Sequence, residues 1–403
     1  MRQGWEVKKL GDVCDVIGGG TPSKAISKFY EGDIYWATVR DMKDNVIKET
    51  EYKITEDAVK KSSTNIIPKG NVIIATRVGL GKICLIENDT AINQDLRAIV
   101  PKPNSGLTIG YLFQWFKSIS HLIVEEGTGA TIQGVKLPFI KGLAIPLPPI
   151  PEQQRIVAIL DECFSAIAKV KANTEQNLKN TKELFESYLE SVFENKGEDW
   201  EEKKLSEVCT KITDGTHQTP KYFNEGVVFL SSKNVTSGKI DWINIKYIDE
   251  KQHLEMQKRV APKINDILLA KNGTTGVAAI VDKDLIFDIY VSLALIRVLH
   301  QVLPNFMLYF INSSIAKKQF NKRLKGSGVP NLHLEEIREV IIPFPTSHSK
   351  QQIIVQQLDS LRAETEKLES IYQQKIKNLE ELKKSILKKA FSGELISAQE
   401  ITA

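Results

Sequence analysis

The 403-residue chain has four cysteines, Cys14, Cys84, Cys163 and Cys209. They stand too far apart for a CxxC pair or a zinc knuckle, which argues against a disulfide framework and a structural metal, and predicts buried thiols. Long apolar runs are absent as well. Stretches such as Val72 to Ala75 and Ile289 to Ile296 fall far short of the roughly 20 residues that span a bilayer, and no basic and apolar leader opens the chain. A cytoplasmic address is expected. Charge of one sign is also missing: 54 basic side chains face 50 acidic ones, for a net charge of +4. Residues 1–151 carry 19 basic and 16 acidic groups and residues 197–349 carry 20 and 18, so no segment is a polycation. Any polyanion must be met by a face that folding assembles.

Catalytic signatures are equally scarce. The glycines at Gly18 to Gly20 and the stretch Gly79-Leu80-Gly81-Lys82 meet neither GxxxxGK[ST] nor a GxGxxG opening a helix in a βαβ unit, so no nucleotide site is expected. The only Pro-Pro pair, Pro148-Pro149, lies at a junction and not in a methyltransferase motif. The Glu-x-Lys triplets at Glu201 to Lys203 and Glu381 to Lys383 lack the upstream aspartate of a nuclease strand. No catalytic or metal residue is assigned.

What the sequence does contain is an internal duplication with a period near 195 residues. Trp5 to Cys14 matches Trp200 to Cys209 without a gap, and Pro68 to Gly79 matches Pro262 to Gly273. Gly127-Thr128-Gly129 then matches Gly326-Ser327-Gly328, Ile145 to Pro148 matches Ile342 to Pro345, and Gln153 to Ile156 aligns with Gln351 to Ile354. Within each half, β-branched runs (Asn71 to Thr76, Ile83 to Ile86, Ala98 to Val100) mix with helical stretches such as Ile109 to Ser120, which makes the globular part α+β. Prolines at 146–151 and 343–345 end it.

Beyond each proline junction the pattern changes to alternating spacings of four and three. Ile156, Leu160, Cys163, Ile167, Val170, Thr174, Asn177, Thr181, Leu184 and Tyr188 form one series, and a shift of 198 residues gives Ile354, Leu358, Leu361, Thr365, Leu368, Tyr372, Lys375, Leu379, Leu382 and Ile386. This is a coiled-coil seam. If the helices pair, the second must run back antiparallel, giving two similar units separated by a two-helix rod with pseudo-two-fold symmetry. The expected divisions are residues 1–151 and 197–349 for the globular units, 152–196 for the first helix, and 350–403 for the second helix with a tail.

The proline junctions Leu143 to Ile156 and Ile341 to Pro345, the ending Leu382 to Leu395, and the matched openings Trp5 to Leu10 and Trp200 to Leu205 together resemble the specificity (S) subunit of a Type I restriction-modification enzyme. The likeness covers essentially the whole chain. It implies two target recognition domains, each reading one half of a split double-stranded DNA sequence, with helices that set the spacing and dock two methyltransferase subunits. Restriction subunits would join through the complex, and S-adenosylmethionine, ATP and magnesium would belong to the partners. Because the halves diverge outside the anchors, an asymmetric bipartite target is expected of a non-catalytic subunit. Two other readings stay open: the specificity subunit of a related two-subunit restriction and modification enzyme, and a coiled-coil adaptor whose ends bind protein.

DNA-contact candidates are polar and basic residues in loops after matched strands, since arginine and lysine pair with guanine or phosphate, and amides and hydroxyls with base edges. They are Arg40, Arg77, Lys82, Thr128, Thr131, Gln133, His217, Lys233, Asn234, Lys271, Asn272, Ser327, Asn331 and His333. Arg77 and Lys271 are expected at equivalent strand ends, as are Arg40 and Lys233. A further basic cluster, Lys317, Lys318, Lys322, Arg323 and Lys325, has no acid among its members. Leu178, Phe185, Leu189 and Val192, with Ile371, Ile376 and Leu387, widen the apolar stripe beside the seam and are expected to face partner subunits.

Overall fold

The computed structural model describes residues 4–127, 134–236, 238–273, 275–322 and 331–395. The chain divides into two compact units, Met1–Thr174 with Gln374–Ala403, and Glu175–Gln373. Both are α+β, and each is built around one strand that is apolar on both faces.

In the first unit that strand is Val72–Ala75, buried at all four positions. Because strand side chains alternate, Val72 and Ile74 point into a core shared with the helix Ile109–Ser118, while Ile73 and Ala75 enter a second core. The strand lies inside a five-stranded sheet, between Leu96–Pro101 and Ile83–Ile86, and a four-stranded sheet supplies Ala37, Ile67 and Ile92 to the second core. The second unit repeats the plan. Ile267–Ala270 sends Ile267 and Leu269 toward the helix Pro304–Asn312, and Leu268 and Ala270 toward a three-stranded sheet.

The matched openings and the proline junctions meet each other. Glu6–Lys9 pairs antiparallel with Ala144–Leu147, and Trp200–Lys204 with Ile341–Pro345, each as a two-stranded sheet. Both strands of such a sheet are edges, where a missing proline N–H is tolerated. Pro146, Pro343 and Pro345, expected to terminate the globular part, therefore sit within it, while Pro148 and Pro149 stand between strand and helix and Pro151 lies in the helix.

The long helices begin immediately afterward, at Ile150–Glu194 and His348–Ser392, each two residues earlier than the expected divisions. Their starts are fixed by one buried glutamine apiece. Gln153 donates to the carbonyls of Gly106 and Pro148 and accepts from the Thr108 N–H and hydroxyl. Gln351 donates to Gln301 and Pro345 and accepts from the Leu303 N–H. Both side chains are fully buried. Each joins the helix to the loop preceding the core helix and to the proline strand.

Within each unit the helix segments run antiparallel. In the first, Phe164 lies under Lys383, Lys171 pairs with Glu380, and Trp5 and Leu395 both pack on the core that holds Leu387 and Ala390. In the second, Phe185 lies under Arg362 and the Tyr188 hydroxyl donates to Gln357. Of the ten expected seam positions in each helix, three are exposed. Ile156, Leu160, Cys163, Ile167, Thr174, Thr181 and Tyr188 are buried or half-buried as expected, but Phe164, Lys171, Leu178, Phe185 and Val192 also face inward, and Val170, Asn177 and Leu184 are exposed. The second helix shows the same one-residue shift: Arg362, Glu369, Ile376 and Lys383 replace Leu361, Leu368, Lys375 and Leu382 as the inward set beside Leu358, Thr365, Tyr372, Leu379 and Ile386, although Leu361 remains half-buried. Long amphipathic side chains thus take seam positions, laying their stems or cationic ends on aromatic faces.

The buried seam threonines satisfy their hydroxyls within their own helices, Thr174 on Val170, Thr181 on Asn177 and Thr365 on Leu361. The shift also relocates the expected partner-facing residues. Leu178, Phe185, Val192 and Ile376 are half-buried on the seam, and Leu189 and Leu387 belong to the unit cores. Ile371 alone of that set is exposed.

Gln351→Ala leaves three backbone groups without their partner, so denaturant unfolding should report a loss of roughly 2–3 kcal/mol; an unchanged midpoint would mean the clamp contributes nothing. Phe185→Ala should cost about 2 kcal/mol or more, whereas Leu184→Ala should stay within about 0.5 kcal/mol. The reverse order would restore the expected seam.

Candidate nucleic-acid interface

At one end of the central strand, each unit gathers loops from distant parts of the sequence. A close backbone crossing fixes the corner. Gly20 N donates to Ile92 O and Thr216 N to Ile289 O, and a Cβ on Gly19 or Gly215 would lie 2.1 or 1.8 Å from those same carbonyl oxygens. Only glycine fits there. This close approach, and not a phosphate loop, accounts for the glycine at position 19.

A matched turn stands beside the crossing. Asp41 accepts from the N–H and hydroxyl of Thr38, and Asn234 accepts from the Ser231 N–H. The turns hold Arg40 and Lys233 outward in equivalent places, both exposed, Arg40 with a loose 3.7 Å contact to Glu51. Asn234 is not free to meet a ligand: it is buried, and its amide donates to the carbonyls of Asp241 and Asn244. Aromatic clusters form around Trp36 and Phe229, on the strands that lead into the turns. In the first unit Tyr30, Trp36 and Tyr52 pack edge to face and, with Arg40, Gln94 and Lys24, line a cavity of about 530 Å³. In the second, Tyr222, Phe229 and Tyr290 form the cluster, with Lys246 over Tyr222.

Arg77 and Lys271 are not equivalent. Thr76 N donates to Asp95 O and Thr76 O accepts from Val135 N; Lys271 occupies the same ladder positions, bonded to Ser292 and Leu332. Arg77 therefore corresponds to Asn272. The slip arises in the preceding turn, where Gly70 and Asn265 share a left-handed backbone, with φ of 83° and 69°, and each takes a bond across the same strand gap. The turn from Pro262 to Asn265 is one residue longer than that from Pro68 to Gly70.

The consequences for charge are opposite in the two units. Arg77 is exposed, near Arg97, whose guanidinium donates to Gln94 O and Leu96 O; burial and the Arg77 charge hold Arg97 below its usual range. Lys82 is exposed and reaches the Val39 carbonyl beside Arg40. The first unit thus leaves Arg40, Arg77 and Lys82 exposed on the rim of its corner, Lys82 against the turn that carries Arg40 and Arg77 near Arg97. Lys271, by contrast, is buried, and its ammonium lies 2.9 Å from Asp214 Oδ2. Its charge is committed to that carboxylate, so it does not face solvent as expected.

Asp214 is itself buried and also receives Arg259 and His217. Burial would raise its pKa, but hydrogen bonds from Arg259, Lys271 and His217 outweigh that and hold it below the usual carboxylate range. His217 stays on the rim with its side chain 62% exposed. Arg259 was not singled out from the sequence, because its partner lies 45 residues away and no local pattern marks the pair.

Asn272 and Asn331 form an isolated bridge on the same side, each with a buried side-chain oxygen that has no partner among the described residues. His333 is exposed and precedes the helix Leu334–Arg338. Thr128, Thr131, Gln133 and Ser327, like Arg323 and Lys325 of the basic cluster, lie outside the described residues.

Cys14 and Cys84 are buried, and burial first of all pushes their thiols up to about 12 and about 11. Among the described residues no group of three histidine, cysteine or acidic side chains is placed to hold a metal, and no helix is long and apolar enough to cross a membrane.

A family model described as the Type I restriction modification DNA specificity domain matches the chain twice, over residues 2–180 and 197–379. The MjaIX specificity subunit of Methanocaldococcus jannaschii is 28% identical over 420 residues, covering 97% of this chain and 93% of that protein. The EcoR124I/EcoR124II specificity subunit of Escherichia coli is 32% identical over 195 residues, covering 47% and 48%. Among solved structures, a chain from a study of assembly and conformational transition of the type I R-M system superposes with a TM-score of 0.80 at 20% identity, over 98% of this chain and 99% of that one. The HsdS subunit of Thermoanaerobacter tengcongensis gives 0.62 at 21% identity, over 98% of each. With the domain matched in both halves, this chain belongs to the family of specificity subunits of Type I restriction-modification enzymes.

Proposed function

We propose that the chain binds an asymmetric, bipartite duplex DNA target, one half-site per unit, and docks two methyltransferase subunits through its long helices, with restriction subunits joining through the complex. The observation that carries this reading is the repeated corner, where matched turns set Arg40 and Lys233 outward at the ends of strands that carry an aromatic cluster in both units. Duplex DNA offers equivalent grooves to repeated modules. The side chains around the corner differ between units, which suits unlike half-sites. In this reading the chain catalyses nothing and works in the cytoplasm. S-adenosylmethionine, ATP and magnesium act in the partner subunits.

The rim residues divide by role. Arg40, whose N–H donates to the Thr38 hydroxyl, and Arg77, both exposed, contact base edges or phosphates, and Lys82, Lys233, His217 and His333 add contacts around them. Asn272 and Asn331, bridged to each other with side-chain oxygens unpartnered among the described residues, add polar contacts in the second unit, and Thr128, Thr131, Gln133 and Ser327 remain candidates from the sequence. Ile371, exposed on the second helix, is the partner-facing residue best placed for docking.

Binding should fall steeply as salt rises, because each neutralised phosphate releases counterions. In a competition assay with the full chain in its methyltransferase complex, Arg40→Ala and Arg77→Ala should each weaken binding of the cognate duplex by roughly 5- to 100-fold. A flat salt response with unchanged competition would remove DNA as the ligand.

A further inference from the structure

We propose that Arg259 reads a guanine in the half-site taken by the second unit, with Asp214 and Lys271 as the residues that hold it in reading position. This rests on the DNA-binding reading above and names the base and the side chain.

The geometry begins with a saturated carboxylate. Asp214 Oδ2 takes the Lys271 ammonium at 2.9 Å, and Oδ1 takes Arg259 Nη2 and His217 Nε2. Arg259 Nε also donates to the Asp214 carbonyl at 3.1 Å. The Nε and Nη2 side of the guanidinium is thus bound to one buried residue, which fixes the direction of the whole planar group. The end carrying Nη1, together with the second N–H of Nη2, has no hydrogen bond to another group among the described residues apart from a 3.4 Å approach of Nη2 to His217. The side chain is 47% exposed, while those of Asp214 and Lys271 are 3% and 6% exposed.

An oriented pair of N–H donors needs a pair of acceptors. Of the four base edges in the major groove, only guanine presents two adjacent acceptors, O6 and N7; adenine offers a donor beside its acceptor, thymine a methyl group, and cytosine a donor. Local charge points the same way. Arg259 and Lys271 against Asp214 leave one positive charge, which favours an electron-rich edge. A phosphate shares this acceptor chemistry, but a mobile lysine suffices for phosphate. Here a buried ion pair immobilises an arginine, and rigid orientation is what discrimination between bases requires.

The corresponding corner of the first unit supplies a contrast. Gly18, paired with Arg97 across the strands, stands where Asp214 pairs with Ala294, so that place carries no carboxylate and Arg97 donates to backbone carbonyls. The arginine-on-aspartate device is specific to the second unit, and so is its expected effect.

The test uses the full chain co-expressed with its methyltransferase subunits, with methylated sites mapped across the host genome. Wild type should give one bipartite motif. Arg259→Ala should make a single G·C position in one half-site degenerate, with discrimination there falling roughly tenfold to a hundredfold, while the other half-site and the spacing stay unchanged. Arg259→Lys, which keeps the charge but not the fork, should relax the same position. Lys271→Met should relax it partially, which a merely structural role would not produce. An unchanged motif in folded Arg259→Ala overturns the proposal, and so does a uniform loss of methylation at every site, the signature of a phosphate contact. If Arg259→Ala fails to fold, Arg259→Gln carries the same decision. Absence of any sequence-specific methylation in wild type would instead defeat the DNA-binding reading itself.

Discussion

Each unit depends on one strand with no polar face. Val72–Ala75 and Ile267–Ala270 are buried on both sides, so neither can be the surface of a sheet. A layer must cover each face: helices on one, a second sheet on the other. The hydrophobic free energy at stake is considerable, since fully burying a valine, leucine or isoleucine side chain contributes about 1.5–3 kcal/mol. Once both faces are covered, the polar groups can collect only where the strand stops. The loop corner with Arg40 and Arg77, or with Lys233 and Arg259, is the end of that strand's core.

The long helices serve the same constraint. Their ends lie on the cores, with Ile156, Leu160, Leu387 and Ala390 in one and Leu189, Phe193, Val355 and Leu358 in the other. Gln153 and Gln351 fix where each helix leaves the globular part by satisfying backbone groups that would otherwise be buried and unpaired. A glutamine suits this task because its amide both donates and accepts.

Much of this was legible in the sequence because it is repeated and local. The matched openings, the apolar strands and the proline junctions all fall where the duplication places them, and the strand Ile83–Ile86 agrees at both ends. The seam was legible except at three positions in each helix, Val170, Asn177 and Leu184 and then Leu368, Lys375 and Leu382. Apolar identity favoured Val170 and Leu184, but burial follows the surface that the partner helix presents, and Phe185, Arg362 and Lys383 fill it better than a leucine one residue away. The alignment of Arg77 with Lys271 failed for a different reason: a one-residue difference in a left-handed turn is invisible in a gapless match, yet it moves every later side chain to the opposite face. Asp214 and Arg259 were out of reach altogether, since only folding brings their positions together.

The divergence between the units follows from what the repeat must preserve. The glycine crossing, the aspartate or asparagine turn and the buried glutamine are held by backbone geometry, so any half that folds must keep something equivalent. The tips of the loops face no such requirement. Arg77 and Asn272 share a backbone place, as do Gly18 and Asp214, but one corner carries two neighbouring guanidiniums and the other a carboxylate bound by three cationic or ring groups. Exchanging those side chains changes the field at the corner without disturbing the strand beneath it. Two recognition surfaces can therefore differ in chemistry while resting on one duplicated plan, and a change of preference in one unit requires no compensating change in the other.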